Sequence, residues 1–183
     1  MRLSGQGLSA RDIVNDWPEN NICQVLKEYG DEKFGQKIAR RSVEARKSRS
    51  IKTTRELSEL IRSACPRNYE RGRLHPATRT FLALRIMVNQ ELENLKAFLP
   101  QALKVLQKNG RLVVISFNSQ EDRLVKNFLR EQEQSGRLRQ LTEKPVTPSP
   151  EELERNPASR SAKLRAGLKL LDDNDHGLNP THG

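Results

Sequence analysis

Apolar positions recur at helical spacing in four short runs between Ser9 and Ala64. The runs are Ile13, Val14 and Trp17; Ile22, Val25, Leu26 and Tyr29; Phe34, Ile38 and Val43; and Leu57, Leu60, Ile61 and Ala64. Start and stop signals bound them. Ser9-Ala10-Arg11-Asp12 and Thr53-Thr54-Arg55-Glu56 set a hydroxyl three residues before an acid, the spacing of a helix-start capping box. Pro18, Gly30 and Cys65-Pro66 end runs. The pattern predicts a small all-helical subdomain over residues 9–65, behind a flexible lead-in at 1–8. Gly5-Gln6-Gly7 in that lead-in is not a phosphate loop, because no strand precedes it and no third glycine follows.

Residues 66–74 are polar and basic and read as a linker. From His75 the character changes. Phe81, Leu84, Val88, Leu92 and Leu95 make one buried helix stripe, with Pro76 in a first turn and Pro100 starting a further helix. Asn109-Gly110 stops it, since glycine accepts the left-handed geometry of a helix end. Arg111 to Phe117 is an apolar, β-branched run that predicts a strand buried on both faces, the habit of a parallel sheet. Ser119 and Asp122 resemble a capping box for a helix through Leu124, Val125, Phe128 and Leu129. Gly136 breaks that helix. Leu138 to Val146 predicts a strand near an edge, Ser149-Pro150 one helical turn, and Ser161 to Leu170 a last strand. The order predicts an α/β layer over 75–170 and a polar, disordered tail over 171–183. In such layers ligands lie beyond the carboxyl ends of strands, near Ser116, Asn118 and Ser119. By local pattern alone Ser119 is a cap and Asn118 a turn residue.

Charge narrows the partner. The 183 residues carry 33 basic and 23 acidic side chains, a formal net charge of +10, which favours a polyanion such as nucleic acid. Gln36 to Arg55 concentrates it: Lys37, Arg40, Arg41, Arg46, Lys47, Arg49, Lys52 and Arg55 stand against the single acid Glu44. That run fits a solvated helix face and a phosphate-contacting surface equally well. Aromatics at 4% argue against a base-stacking platform. Mean hydropathy of −0.78 allows only a modest core. Cys23 and Cys65 are too few for a disulfide framework and lack zinc spacing, and His75, His176 and His182 form no ligand cluster, so no metal is expected. No apolar run is long enough to span a bilayer, and the expected compartment is the cytoplasm.

Three blocks, "HPATRTFLALRIMVNQELE" from His75, "NGRLVVISFNSQEDRLVKNFL" from Asn109 and "NPASRSAKLRAGLK" from Asn156, resemble the bacterial small-subunit ribosomal RNA (cytosine-N4)-methyltransferase family. The blocks stand in the family's order, and the resemblance covers Met1 to about Leu170. It implies a fold that is α/β: a partial class I (Rossmann-like) methyltransferase sheet with a small all-helical subdomain. It further implies S-adenosyl-L-methionine as methyl donor, small-subunit ribosomal RNA or the ribosomal subunit as partner, and a helical insertion that helps to grip RNA. The late strands correspond to the antiparallel sixth and seventh strands of such enzymes. Transfer to a cytosine amine is chiefly a matter of holding donor and amine in line and needs no nucleophilic side chain.

The resemblance also implies what to look for and not find. The glycine-rich turn after a first strand and the acid after a second, which hold the cofactor, have no counterpart in this sequence, so no cofactor-binding residue is carried over. The chain is expected to be the carboxyl-terminal part of a member, with an open sheet edge beside Arg111–Phe117 that invites self-association. Within the second block, Asn118 stands where members carry a histidine, and Gln120 where they carry an apolar residue. Asn118 can hydrogen-bond but cannot titrate near neutrality. Ala158-Ser159 replaces a more basic pair. The candidates for contacting RNA are Arg79, Arg85, Ser116, Asn118, Arg123, Lys126, Arg160 and Lys163, with Arg40 and Arg41 in the helical subdomain. Two functions follow: part of a ribosomal RNA methyltransferase, or an RNA-binding remnant without catalysis.

Overall fold

The computed structural model describes residues 7–72 and 74–171; the start of the expected lead-in and nearly all of the expected tail lie outside them. The chain divides into two compact units, meeting between Glu91 and Leu92.

The first unit is helical: α1 (Ala10–Asp16), α2 (Glu19–Gly30), α3 (Gly35–Ser48), α4 (Thr54–Ala64), a 3-10 turn (Tyr69–Gly72) and α5 (Thr78–Asn89). Both expected capping boxes form. Ser9 and Asp12 exchange side-chain and backbone bonds at α1, and Thr53 and Glu56 do so at α4. Ile13, Ile22, Leu26, Ile38, Ile61, Ala83 and Leu84 share one core. The core explains why α5, read from sequence as part of the sheet layer, belongs to this unit: it packs against α2. Gly30 makes that approach possible. A Cβ there would lie 2.6 Å from the Arg79 carbonyl oxygen. Gly30 stays helical, and Asp31 takes the left-handed cap at φ 47°. Its role is closeness to a neighbour, not helix termination.

The second unit holds α6 (Glu91–Val105), β1 (Arg111–Ser116), α7 (Ser119–Gln134), β2 (Leu138–Gln140), α8 (Pro150–Arg155), a 3-10 turn (Pro157–Ser161) and β3 (Lys163–Lys169). The helix boundary expected at Pro100 falls at Gln90, which is left-handed (φ 51°) and ends α5. Pro100 lies inside α6, on its exposed side, where the carbonyl left by the missing N–H can be hydrated. After α6 the left-handed residue is Asn109 (φ 66°), not Gly110.

The sheet order is β1-β3-β2, with β3 antiparallel to both neighbours. This is a mixed α/β arrangement that matches the antiparallel end of a methyltransferase sheet. The two-faced burial in a parallel sheet expected of this strand, β1, does not form. β1 is buried on one face only and pairs with an antiparallel strand. Leu112 belongs to the core with Leu99, Val125, Leu129 and Leu138, and Val114 packs against it, whereas Val113 and Ile115 are each 53% exposed. α7 covers one side of the sheet, and nothing among the described residues seals the other side over β1. β1 is also an edge strand. The strand expected over 138–146 is shorter: β2 ends at Gln140, and Val146 returns only as an isolated bridge to Leu164.

Candidate nucleic-acid interface

On α3 the residues Lys37, Arg40, Arg41 and Glu44 fall three and four apart and so share one side of the helix. With Ser63 and Ala64 of α4 they line a cleft of about 460 Å³. Arg40 bonds Glu44 at 3.0 Å and Arg41 approaches it at 3.7 Å, with both guanidinium side chains more than half exposed. Such exposed pairs hold little energy. One carboxylate cannot neutralise three cations, so the groove keeps a positive field directed at solvent.

Beside it, Lys33, Phe34, Asn68, Tyr69, Glu70 and Arg79 line a second cleft of about 530 Å³. Its walls are tied down. Glu32, 1% exposed, accepts the Tyr69 hydroxyl at 2.7 Å and the Phe34 backbone N–H at 3.0 Å through the same oxygen. Burial and that carboxylate push the Tyr69 hydroxyl well above its ordinary range. Burial, with Glu32 adding to it, pushes the Cys65 thiol up to about 11. Arg79 donates to Glu70 at 2.7 Å, and this bond holds the Glu70 carboxyl below its ordinary range.

The other expected residue of α5, Arg85, forms a two-bond pair with Glu91 at 2.9 and 3.0 Å, and Asn89 joins it. Arg85, Asn89 and Glu91 all belong to the first unit, so Arg85 is engaged in a local pair at the end of α5.

In the second unit the expected residues around the end of β1 take distinct tasks. Ser116 is buried. Asn118, not Ser119, caps α7. Its Oδ1 accepts from the N–H groups of Gln120 and Glu121, while Ser119 is the first helical residue. The capping box expected between Ser119 and Asp122 does not form, because Asp122 turns inward. It accepts from Arg165 at 2.7 Å and from Lys163 at 3.3 Å. Burial raises the Asp122 carboxyl, but these bonds outweigh it and hold the group below its ordinary range. Lys163 is therefore bound into an ion-pair cluster. Arg123 lies with Lys96, Gln120, Leu124 and Phe128 along a shallow cleft of about 370 Å³. Lys126 is half-buried on α7, and Arg160 is exposed in the 3-10 turn before β3. The ten expected residues thus divide between the two units, with Arg40 and Arg41 sharing one cleft and Arg79 lining another.

Three residues escaped the sequence reading: Arg165, Glu32 and Lys169. Asp122 stands on the same helix stripe as Val125 and Leu129, and an acid on an apolar stripe requires a buried cation, which Arg165 supplies. Glu32 follows the left-handed cap of α2, with no local signal. Lys169 is 3% exposed and donates to the carbonyls of Lys104 and Leu106 at the end of α6.

The first unit is helical, and the second carries the antiparallel end of a methyltransferase-type sheet. The chain belongs to the MraW methylase family, whose profile matches residues 1–170. It is 48% identical over 165 residues to the ribosomal RNA small subunit methyltransferase H of Sulfurihydrogenibium sp. (strain YO3AOP1), covering 90% of this chain and 56% of that protein. The protein of the same name from Nostoc sp. (strain PCC 7120) is 48% identical over 170 residues, covering 93% of this chain and 54% of that protein. The chain thus spans about half the length of the curated relatives it matches.

The family is of the S-adenosylmethionine-dependent type. The described residues do not fit that cofactor. The strand that runs into a helix, β1 into α7, passes through Phe117 and Asn118 without a glycine. The backbone N–H groups at the start of α7 are already taken by Asn118 Oδ1, and that of Phe117 by the Glu121 carboxylate.

Proposed function

We propose that this chain serves S-adenosylmethionine-dependent N4-methylation of a cytosine in 16S ribosomal RNA, in the cytoplasm, and that its own contribution is to grip and present the RNA. The observation that carries this reading is the basic groove of Lys37, Arg40 and Arg41, a surface with excess positive charge and room for a phosphate backbone. The relatives named above supply the substrate class. Fluorescence anisotropy with small-subunit ribosomal RNA fragments tests it. Affinity should fall steeply with salt, and replacing Arg40 and Arg41 by alanine should reduce the log–log slope by about 0.7 per lost phosphate contact. Binding that ignores salt, or no binding, would refute the groove as the gripping surface.

A second reading, an RNA-binding module without catalysis of its own, is favoured by the poor fit of the described residues to the cofactor. Calorimetry of the chain with S-adenosylmethionine separates the two. Appreciable affinity would contradict a cofactor site lying outside these residues, and methyl transfer by the purified chain would eliminate the second reading. The exposed edge and outer face of β1 lead us also to expect concentration-dependent self-association, measurable by sedimentation velocity.

A further inference from the structure

The two clefts of the helical unit share one contact. Lys37 lines the basic groove, and its Nζ sits 5.6 Å over the ring of Phe34, which lines the second cleft. We propose that this second cleft receives a single unstacked nucleobase of an RNA strand whose phosphates follow the α3 groove. The inference rests on the RNA-gripping reading above and adds a base subsite to it.

The walls suit a base. The rings of Phe34 and Tyr69 meet edge to face, with centroids 4.9 Å apart and planes at 85°. The buried Glu32 carboxylate holds both residues through one oxygen, so neither wall needs ordering when a ligand arrives. A pre-set aromatic wall lowers the entropic cost of binding and accepts any base by its π face. The charges are arranged to match. Lys33 and Lys37 flank the Phe34 side, where a phosphate would lie. Also in the lining, Arg79 and Glu70 neutralise one another, presenting both donor and acceptor to the edge of a base without repelling the strand. One base per protein also agrees with the low aromatic content, which excludes a multi-base platform but not a single pocket.

The test uses the full chain and a short, fluorescein-labelled single strand of small-subunit ribosomal RNA, with a second strand carrying 4-thiouridine for cross-linking. Phe34→Leu keeps apolar bulk and removes the ring. It should weaken binding about tenfold, within the range of one lost base stack, and leave the salt slope unchanged. The paired substitution Arg40→Ala and Arg41→Ala should weaken binding and lower the slope. The thiobase should cross-link to the peptide holding Phe34 or the one holding Tyr69. Asn68→Ala, at an exposed position that also lines the cleft, repeats the test should Phe34→Leu disturb folding, and it should weaken binding and cross-linking at an unchanged salt slope. If the pocket variants bind like the parent while the groove variant is weakened, or if the cross-link maps elsewhere, the base subsite is wrong and the groove stands. If no variant and no parent binds RNA, both fall together.

Discussion

The Asp122 cluster permits a prediction with an internal control. Asp122 and Arg165 have side chains 12% and 6% exposed, and they meet in a direct hydrogen-bonded pair, with Lys163, 39% exposed, on the second carboxylate oxygen. Asp122→Asn leaves the Arg165 charge buried without its counter-ion and adjacent to a second cation. Breaking a buried pair this way costs about 3–5 kcal/mol. Arg165→Met is different. Asp122 keeps Lys163 and remains partly hydrated through it, so the cost should be nearer the roughly 1–3 kcal/mol of a lost charged hydrogen bond. The ordering, Asp122→Asn above Arg165→Met, is therefore dictated by Lys163. Hydrogen exchange of β3 amides, read by mass spectrometry, reports this unit without relying on Trp17, which packs in the other core. Equal or reversed costs would refute the account of Lys163 as the reserve partner. The pH dependence has a definite sign. The Asp122 carboxyl titrates lower in the folded chain than its ordinary value, so its stabilisation is complete above about pH 4 and is lost as pH falls through the depressed folded value.

Gln120→Leu should stabilise the second unit by about 1 kcal/mol or more, because among the described residues the buried Gln120 Nε2 has no hydrogen-bond partner and its Oε1 takes a 3.4 Å contact from Arg123; slower exchange of α7 amides would register it, and a loss of protection would contradict it. Gly30→Ala should destabilise the helical unit by about 1–3 kcal/mol through overpacking, offset by up to about 1 kcal/mol of helix propensity, since the added Cβ meets the Arg79 carbonyl; urea unfolding followed by Trp17 fluorescence measures it. Tyr69→Phe removes a donor from the buried Glu32 and should cost about 1–3 kcal/mol in the same assay.

Signals confined to a few neighbouring residues were legible in the sequence. The capping boxes at Ser9 and Thr53, the stripes of α2 and α4 and the two late strands all follow from residues within one or two turns of each other. What failed depends on contacts distant in sequence. Gly30 and Gly110 read as helix stops, Gly110 as a left-handed one, yet Asp31 and Asn109 take the left-handed conformation, and Gly30 is small because α5 lies against it. Asn118 displaced Ser119 as the cap because Arg165, more than forty positions away, draws Asp122 inward. The candidate site was legible as charge and not as shape. The run from Lys37 to Arg55 identified the cations of the groove, but the Glu32–Tyr69 bond that builds the second cleft spans a separation no periodicity reveals.

β1 shows the same division in one element. Its run of Leu112, Val113, Val114 and Ile115 asks for cover on both faces, and α7 and the core around Leu129 meet that demand at one parity only. The other parity, Val113 and Ile115 with Phe117 beyond them, is more than half exposed. Such a patch on an edge strand is unusual for a chain with no partner. The two parities should respond oppositely to substitution. Val113→Thr with Ile115→Thr keeps β-branched side chains and touches no core contact, so folding stability should change by no more than about 0.5 kcal/mol, while sedimentation should shift toward the monomer. Leu112→Ala empties the buried parity and should cost about 2–5 kcal/mol. If the threonine pair destabilised the unit as much as Leu112→Ala, measured by exchange of β1 and β3 amides in dilute protein, the outer face would be covered within the chain itself, and the one-faced burial of β1 would be wrong.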